Sequence, residues 1–296
     1  MSTIELAPAP PRGVGAGAPP DRRRGSVDAG APLSPGSGLS LGVAVMWLSL
    51  VVLLPLAAVV GKAFGNGWSD FYAAVTNRET VAALRLTLEL ALSVAGVNAV
   101  MGTMVAWVLV RERFRGAGVF ELVIDLPFAL PTIVAGLVML GLYGGNSPVG
   151  INLVGTRTGL FVALLFVTLP FTVRTVQPVL LDLDRDAEQA AASLGAGPLT
   201  TFRRIVLPPL VPAILSGSAL SFARALGEYG SLVLISSNLP FKTEVASRLI
   251  YDKLQNADSP VVAVRQAAAI ATVLLLASAV VLLVLSLLQR RLARHG

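Results

Sequence analysis

Six stretches of this 296-residue chain are uncharged or nearly so and long enough to cross a bilayer, lying near 40–61, 84–110, 120–142, 159–178, 209–236 and 266–288. A crossing takes about 20 apolar residues as a helix. Inside the hydrocarbon layer every backbone polar group must be satisfied within the protein, so such stretches form helices. The predicted fold class is therefore all-α, a polytopic membrane protein with six transmembrane helices. Composition agrees, with 54% hydrophobic residues, 14% charged residues and a mean hydropathy of +0.75. A soluble core does not need that balance.

The basic residues give the orientation. Segments 1–38, 111–118, 178–208 and 289–296 carry thirteen Lys or Arg, whereas the alternate loops 62–83, 143–158 and 238–264 carry six. The positive-inside rule then places both termini in the cytoplasm. These residues are short membrane flanks without aromatic interleaving, so the net charge of +6 does not indicate a nucleic-acid partner. Their partner is membrane lipid. Residues 1–38 hold seven Pro and seven Gly with an Arg22-Arg23-Arg24 run, and read as a disordered cytoplasmic arm whose arginines fix topology. The first apolar segment is too long for a secretory signal and lacks a small-residue cleavage site. Residues 39–290 are the expected transmembrane domain and 291–296 a cytoplasmic tail.

Between the fourth and fifth spans lies a polar segment, 182–208, patterned as two short helices. Asp184, Asp186 and Glu188 suit the positive end of a first helix dipole, and Ala190, Ala191, Ala192 and Leu194 continue it. Gly195 is placed to take a left-handed turn, and Pro198 suits the first turn of a second helix. Phe202, Ile205 and Val206 recur at helical spacing, and Pro208-Pro209 is expected to stop that helix where the membrane begins again. A rigid helical hairpin between two spans is a surface for contacting another protein.

Within the spans, Pro127 and Pro131 must kink or break the third, and Gly136 and Gly141 would allow close approach of neighbours. Arg174 reads as a snorkelling side chain near the cytoplasmic end of the fourth span, and Glu89 as a flank of the second. Small residues run through span five from Ser216 to Ala223. Arg224 and Glu228 are four residues apart and can pair on one helix face. Two readings of this pair stand: a translocation-pathway charge, or a structural ion pair pinning span five.

The hairpin, with its small residues, Gly195, Ile205 and Leu207-Pro208, resembles the cytoplasmic signature loop of permease subunits in binding-protein-dependent ABC importers. That loop begins Glu-Ala-Ala and docks into a cleft of the ATPase. In this register Gln189 occupies the family's Glu position and Glu188 lies one residue early. The Asp-Leu-Pro-Phe-Ala-Leu-Pro phrase at 125–131 is similar to the third span of sulfate and molybdate permeases. The phrases Ala-Arg-Ala-Leu-Gly-Glu-Tyr-Gly-Ser, which includes Tyr229 and Ser231, and Asn-x-Pro-x-Lys-Thr-Glu resemble the T-type subunit of sulfate importers. The resemblance covers about residues 40–290. It implies a type I ABC importer permease fold with a core unit at about 80–288, and ATPase-coupling residues Glu188, Gln189, Ala190, Ala191, Gly195, Ile205, Leu207 and Pro208. It also implies a second related permease of the W type, two ATPase subunits and an extracytoplasmic sulfate-binding protein, in a bacterial inner membrane.

Catalysis is not expected. Gly61-Lys62-Ala63 lacks the upstream glycine and hydroxyl of a phosphate loop, so ATP and Mg would be bound by the partner ATPase and this chain needs no cofactor. There is no cysteine, and the one histidine, His295, is a tail residue. The predicted function is ATP-driven inward transport of sulfate, or thiosulfate, by alternating access. The alternatives are a molybdate or tungstate ABC permease, or an ion-coupled secondary anion transporter using Glu228 and Glu89. Against the last stand the hairpin and the lack of a repeat between the two sets of three spans. A scaffold or receptor is disfavoured by the intramembrane charges.

Overall fold

The structure, a computed structural model, describes residues 35–112, 114–256 and 259–292. The arm assigned to 1–38 lies outside the described residues up to position 34, as does the end of the tail. Contacts divide the chain into residues Met1–Val52 and Leu53–Gly296. In the first unit the described part is one apolar helix, α1 (Pro35–Leu48), followed by most of a π-helical turn, Ser49–Leu53, whose last residue opens the second unit.

Among the described residues the second unit is built of helices joined by loops, with no strand. Helices α2 (Leu54–Ala63) and α3 (Trp68–Thr76) precede the long α4 (Arg78–Arg111). Next come α5 (Ala117–Ala129), α6 (Thr132–Tyr143) and α7 (Arg157–Asp182). The polar segment forms α8 (Arg185–Ser193) and α9 (Pro198–Thr201), which lead into α10 (Leu207–Leu226). Helices α11 (Gly230–Ile235), α12 (Ala246–Gln255) and α13 (Pro260–Leu292) complete it. Among the described residues, five helices are long and apolar enough to cross a membrane, or six spans if the bent α5–α6 pair is one. The chain is a multi-pass membrane protein.

The core is the packing of α4, α7 and α10, made tight by two glycines. A Cβ on Gly102 of α4 would lie 2.8 Å from Thr172 Cβ, and one on Gly217 of α10 would lie 2.7 Å from Thr172 Cα. Only glycine lets these backbones close on α7. A thread of buried polar contacts crosses the same three helices. Asn98 Nδ2 donates to Thr168 Oγ1 at 2.8 Å, Ser221 Oγ donates to the Thr168 carbonyl at 3.0 Å, and the hydroxyls of Thr172 and Ser221 lie 3.1 Å apart. Van der Waals packing and such hydrogen bonds replace the hydrophobic effect as the glue between helices in lipid.

Span three is broken, as its prolines require: α5 and α6 meet at 119° between Pro127 and Pro131. The α5 half is held on α7 by the residues of the proline phrase itself. Arg174 Nε donates to Asp125 Oδ1 at 2.8 Å, with a second bond from Nη2 to Asp125 Oδ2, and Gln177 Nε2 donates to Glu121 Oε1 at 3.1 Å. Phe128 stands edge-on to Phe171 with ring centroids 4.9 Å apart. Arg174 is thus not the snorkelling side chain expected from sequence. A guanidinium at membrane depth gains more from a bidentate carboxylate than from reaching for the headgroups. The α4–α5 connection lies at the end of α4 that meets the hairpin. Tyr143, at the end of α6, accepts from Leu153 N at 2.9 Å just before α7 begins at the opposite end. The broken pair therefore leads from the hairpin end of the bundle to the opposite end.

The fifth span also departs from expectation. Its helix does not run from 209 to 236 but ends at Leu226, and α11 packs separately against α6. A Cβ on Gly136 would lie 2.8 Å from the Ser231 carbonyl, so Gly136 does allow the close approach predicted for it. Gly141 does not, because a Cβ there meets nothing within 4 Å. The start of the span differs too, since Pro208-Pro209 does not stop a helix. Residues Phe202–Val206 form a π turn that leads straight into α10, with Leu207 N bonded to the Phe202 carbonyl. The widened i→i+5 turn draws the carbonyls four residues before each proline out of the ring's way.

Candidate functional site: the polar hairpin and the intramembrane charges

Asp184 caps α8 by accepting from Asp186 N at 2.8 Å. At the other end Ala196 N donates to the Ala191 carbonyl and Gly195 N to the Ala192 carbonyl, both at 3.0 Å. These bonds define a Schellman turn with Gly195 at the left-handed position, φ +83°. Pro198 then opens α9 at its first position.

The hairpin is fastened to the end of α4. Arg111 Nη2 donates to Glu188 Oε1 at 2.6 Å, and the Arg111 side chain is only 10% exposed. Its guanidinium also lies 5.2 Å from the Trp107 ring centroid, and Trp107 meets Phe202 edge-on at 5.7 Å. One cluster therefore grips both arms of the hairpin. Of the residues assigned to coupling, Gln189, Ala190, Gly195 and Pro208 are exposed, while Ala191, Ile205 and Leu207 are half-buried. Glu188 is turned inward onto Arg111. Beyond that list, Leu194 is 89% exposed, and Leu199 is also exposed. Sequence reading used Leu194 only as a helix former, yet a leucine ending a polar helix beside a glycine turn is a signal of an apolar contact knob.

Arg224 and Glu228 do pair, with Nη1 2.5 Å from Oε2. Their burial differs sharply: Glu228 is 1% exposed and Arg224 30%. Glu228 sits in the break between α10 and α11, where Oε1 accepts from Ser231 N at 2.8 Å. Its own carbonyl accepts from Ser247 Oγ at 2.7 Å, joining the break to α12. Tyr229 stacks against Tyr251 at 5.4 Å, and its hydroxyl lies 3.4 Å from Arg248 Nη1. Glu228 thus has a structural task in closing the break, and Arg224 is the member of the pair that reaches open space. Glu89 lies in the first half of α4 and accepts from Arg85 Nε at 2.6 Å.

Two groups escaped the sequence reading. In the sequence Arg111 reads as a topological flank, and Glu244 as the end of the Asn-x-Pro-x-Lys-Thr-Glu phrase. Glu244 is 5% exposed, and burial pushes its carboxyl up to about 7, with the neighbouring Glu79 and Asp252 carboxylates adding to the effect. Those two are already engaged by Lys253 and Arg248, each at 2.8 Å.

Broken spans around a three-helix core, with a capped polar hairpin between two spans, define the transmembrane subunit of a binding-protein-dependent importer. The fold is that of solved importers of this class. It matches a bacterial alginate ABC transporter in complex with its alginate pentasaccharide-bound periplasmic protein with TM-score 0.69 and 16% identity, covering 86% of this chain and 93% of that one. It matches the MetNI methionine ABC transporter with TM-score 0.56 and 17% identity, covering 72% and 95%. Residues 98–295 match the family described as binding-protein-dependent transport system inner membrane component, and the chain belongs to that family. It is 46% identical over 255 residues to the sulfate transport system permease protein CysT of Synechocystis, covering 84% of this chain and 87% of the relative. The protein of the same name from Salmonella typhimurium is 43% identical over 268 residues, covering 88% and 95%.

Proposed function

We propose that this chain is a transmembrane subunit of an ATP-driven importer that carries sulfate inward across the bacterial inner membrane by alternating access. The observation that carries the reading is the 46% identity, shared over most of both chains, with a sulfate permease. The chain works beside a second related permease of the W type, two ATPase subunits and an extracytoplasmic sulfate-binding protein. The ATPases supply the nucleotide site, and both termini and the hairpin face them in the cytoplasm. Residues 39–290 form the permease domain.

The geometry supports this division of labour. The hairpin presents Gln189, Ala190, Leu194 and Gly195 outward and is gripped by Arg111, Trp107 and Phe202 behind. A push on the knob passes to the end of α4 and, through the continuous α9–α10 helix, to the break that Glu228 holds. Arg224 offers a divalent oxyanion a guanidinium already partly neutralised by Glu228, which keeps binding weak enough for release.

The test is radiolabelled sulfate uptake into vesicles holding the whole complex. Uptake that needs ATP on the hairpin side and the binding protein on the other is the expected result. Uptake driven by a proton or sodium gradient without ATP would replace this reading with a secondary transporter, and preference for molybdate would redirect the substrate.

A further inference from the structure

The side of the bundle opposite the hairpin gathers cations where three preferences oppose them. Arg78 is the first residue of α4 and Arg157 the first of α7. A cation at a helix N-terminus stands at the positive end of the macrodipole. The carboxylates nearby are committed elsewhere: Glu79 pairs with Lys253, Asp252 with Arg248 and Glu89 with Arg85. Arg78 and Arg157 have no carboxylate within ion-pair distance among the described residues, and Arg157 Nε donates instead to the Lys242 carbonyl at 3.1 Å. The outer side of a membrane protein is also the side depleted of arginine and lysine.

Both arginines face one cleft of about 650 Å³ between the ends of α4 and α7 and the 236–244 loop. Arg85 and Glu89 are its other charged lining residues, which leaves it two positive charges in excess; Val81, Leu86 and Phe241 are apolar lining. The loop is held so that Phe241 stands out at the cleft. Asn238 and Phe241 take φ of +50° and +64°, while Leu239 O accepts from the N–H groups of Lys242, Thr243 and Glu244. Such left-handed non-glycine positions persist only where their surroundings over-determine them.

We propose that this cleft binds a tetrahedral oxyanion between Arg78 and Arg157, either the phosphodiester of an anionic phospholipid or the free cargo anion. Guanidinium forks match phosphate and sulfate oxygens in pairs, and an anion there relieves the two helix ends as well as the two side chains. The apolar wall along α4 favours the lipid, whose acyl chains would follow the helix into the membrane. The lipid arm stands independently of the sulfate reading, whereas the free-anion arm rests on it.

The test uses the purified whole complex carrying Arg78→Gln with Arg157→Gln. Phosphatidylglycerol retained by the complex is read by native mass spectrometry, and sulfate binding by calorimetry in phosphatidylcholine vesicles. Loss of two charge-assisted contacts is expected to weaken one of the two ligands by about tenfold or more, and the ligand affected identifies the occupant. Arg78→Lys with Arg157→Lys keeps the charge but loses the paired donor fork, so it should retain only part of the binding, whereas Lys62→Gln, outside the cleft lining, should retain all of it. If the glutamine pair does not assemble, Arg157→Gln alone gives the same readout with a smaller loss. Unchanged retention of phosphatidylglycerol together with unchanged sulfate binding in an assembled arginine-to-glutamine variant would overturn the proposal.

Discussion

Arg111 and Glu188 lie 77 positions apart and meet at 2.6 Å, joining the end of the second span to the first helix of the hairpin. The contact makes the hairpin an extension of α4 instead of a loop hung between α7 and α10. Arg111→Gln should cost about 2 kcal/mol at this joint, the value of a charge-assisted hydrogen bond, and leave the spans folded. The expected phenotype is an assembled complex that hydrolyses ATP but imports several-fold less sulfate. Wild-type uptake per ATP in that variant would show that the joint transmits nothing.

Gly195 tests the turn itself. A Cβ there meets nothing within 4 Å, so substitution acts through backbone conformation alone at φ +83°. Gly195→Asn should be nearly silent, because asparagine tolerates the left-handed region. Gly195→Val should mis-aim α9 at a cost of about 1–2 kcal/mol and uncouple hydrolysis from uptake. Equal uptake by the two variants would remove the turn from the mechanism.

For the intramembrane pair the burial difference separates two roles. Glu228→Gln keeps an acceptor for Ser231 N and should assemble normally while leaving Arg224 unopposed, which slows anion release. Arg224→Ala should abolish uptake with assembly intact. Exchanging the two charges cannot rescue either property, since an arginine at 228 has no acceptor to offer Ser231. Loss of complex yield in Arg224→Ala would reduce the pair to a structural pin.

Glu244 predicts a pH dependence with a definite sign. Its folded-state carboxyl is raised to about 7, above the ordinary value of about 4.3. Its contribution is therefore fully present below the ordinary value and is lost as pH rises through 7, a swing of about 4 kcal/mol. Glu244→Gln stays neutral, so its stability relative to wild type should rise across that window. Thermal unfolding of both complexes from pH 4.5 to 8 checks this, and parallel curves would sink it.

The helical class, the break at Pro127 and Pro131, and the capped hairpin with its left-handed Gly195 were legible because each rests on local chemistry: apolar length, a missing N–H, a glycine after an alanine run. What was not legible depends on partners distant in sequence. Arg174 reads as a membrane flank until Asp125 is brought beside it, and Arg111 until Glu188 is. The Pro208-Pro209 pair reads as a stop because the π turn before it leaves no signature in residue type. The break after Leu226 does carry a local signal, two glycines around Glu228 at 227–230, but the apolar residues on either side let 209–236 read as one span, and the packing of α11 on α6 is what divides it.

A hairpin that touches the ATPase through the knob beside Gly195 should place Leu194 in that contact. The chain contains no cysteine, so Leu194→Cys, at a position 89% exposed, creates a single thiol. In the assembled complex, a short thiol cross-linker on a Leu194→Cys chain should yield a covalent product with the ATPase subunit, and ATP trapping should change its yield. A thiol that stays free for labelling in the assembled complex and never cross-links to the ATPase would contradict the account.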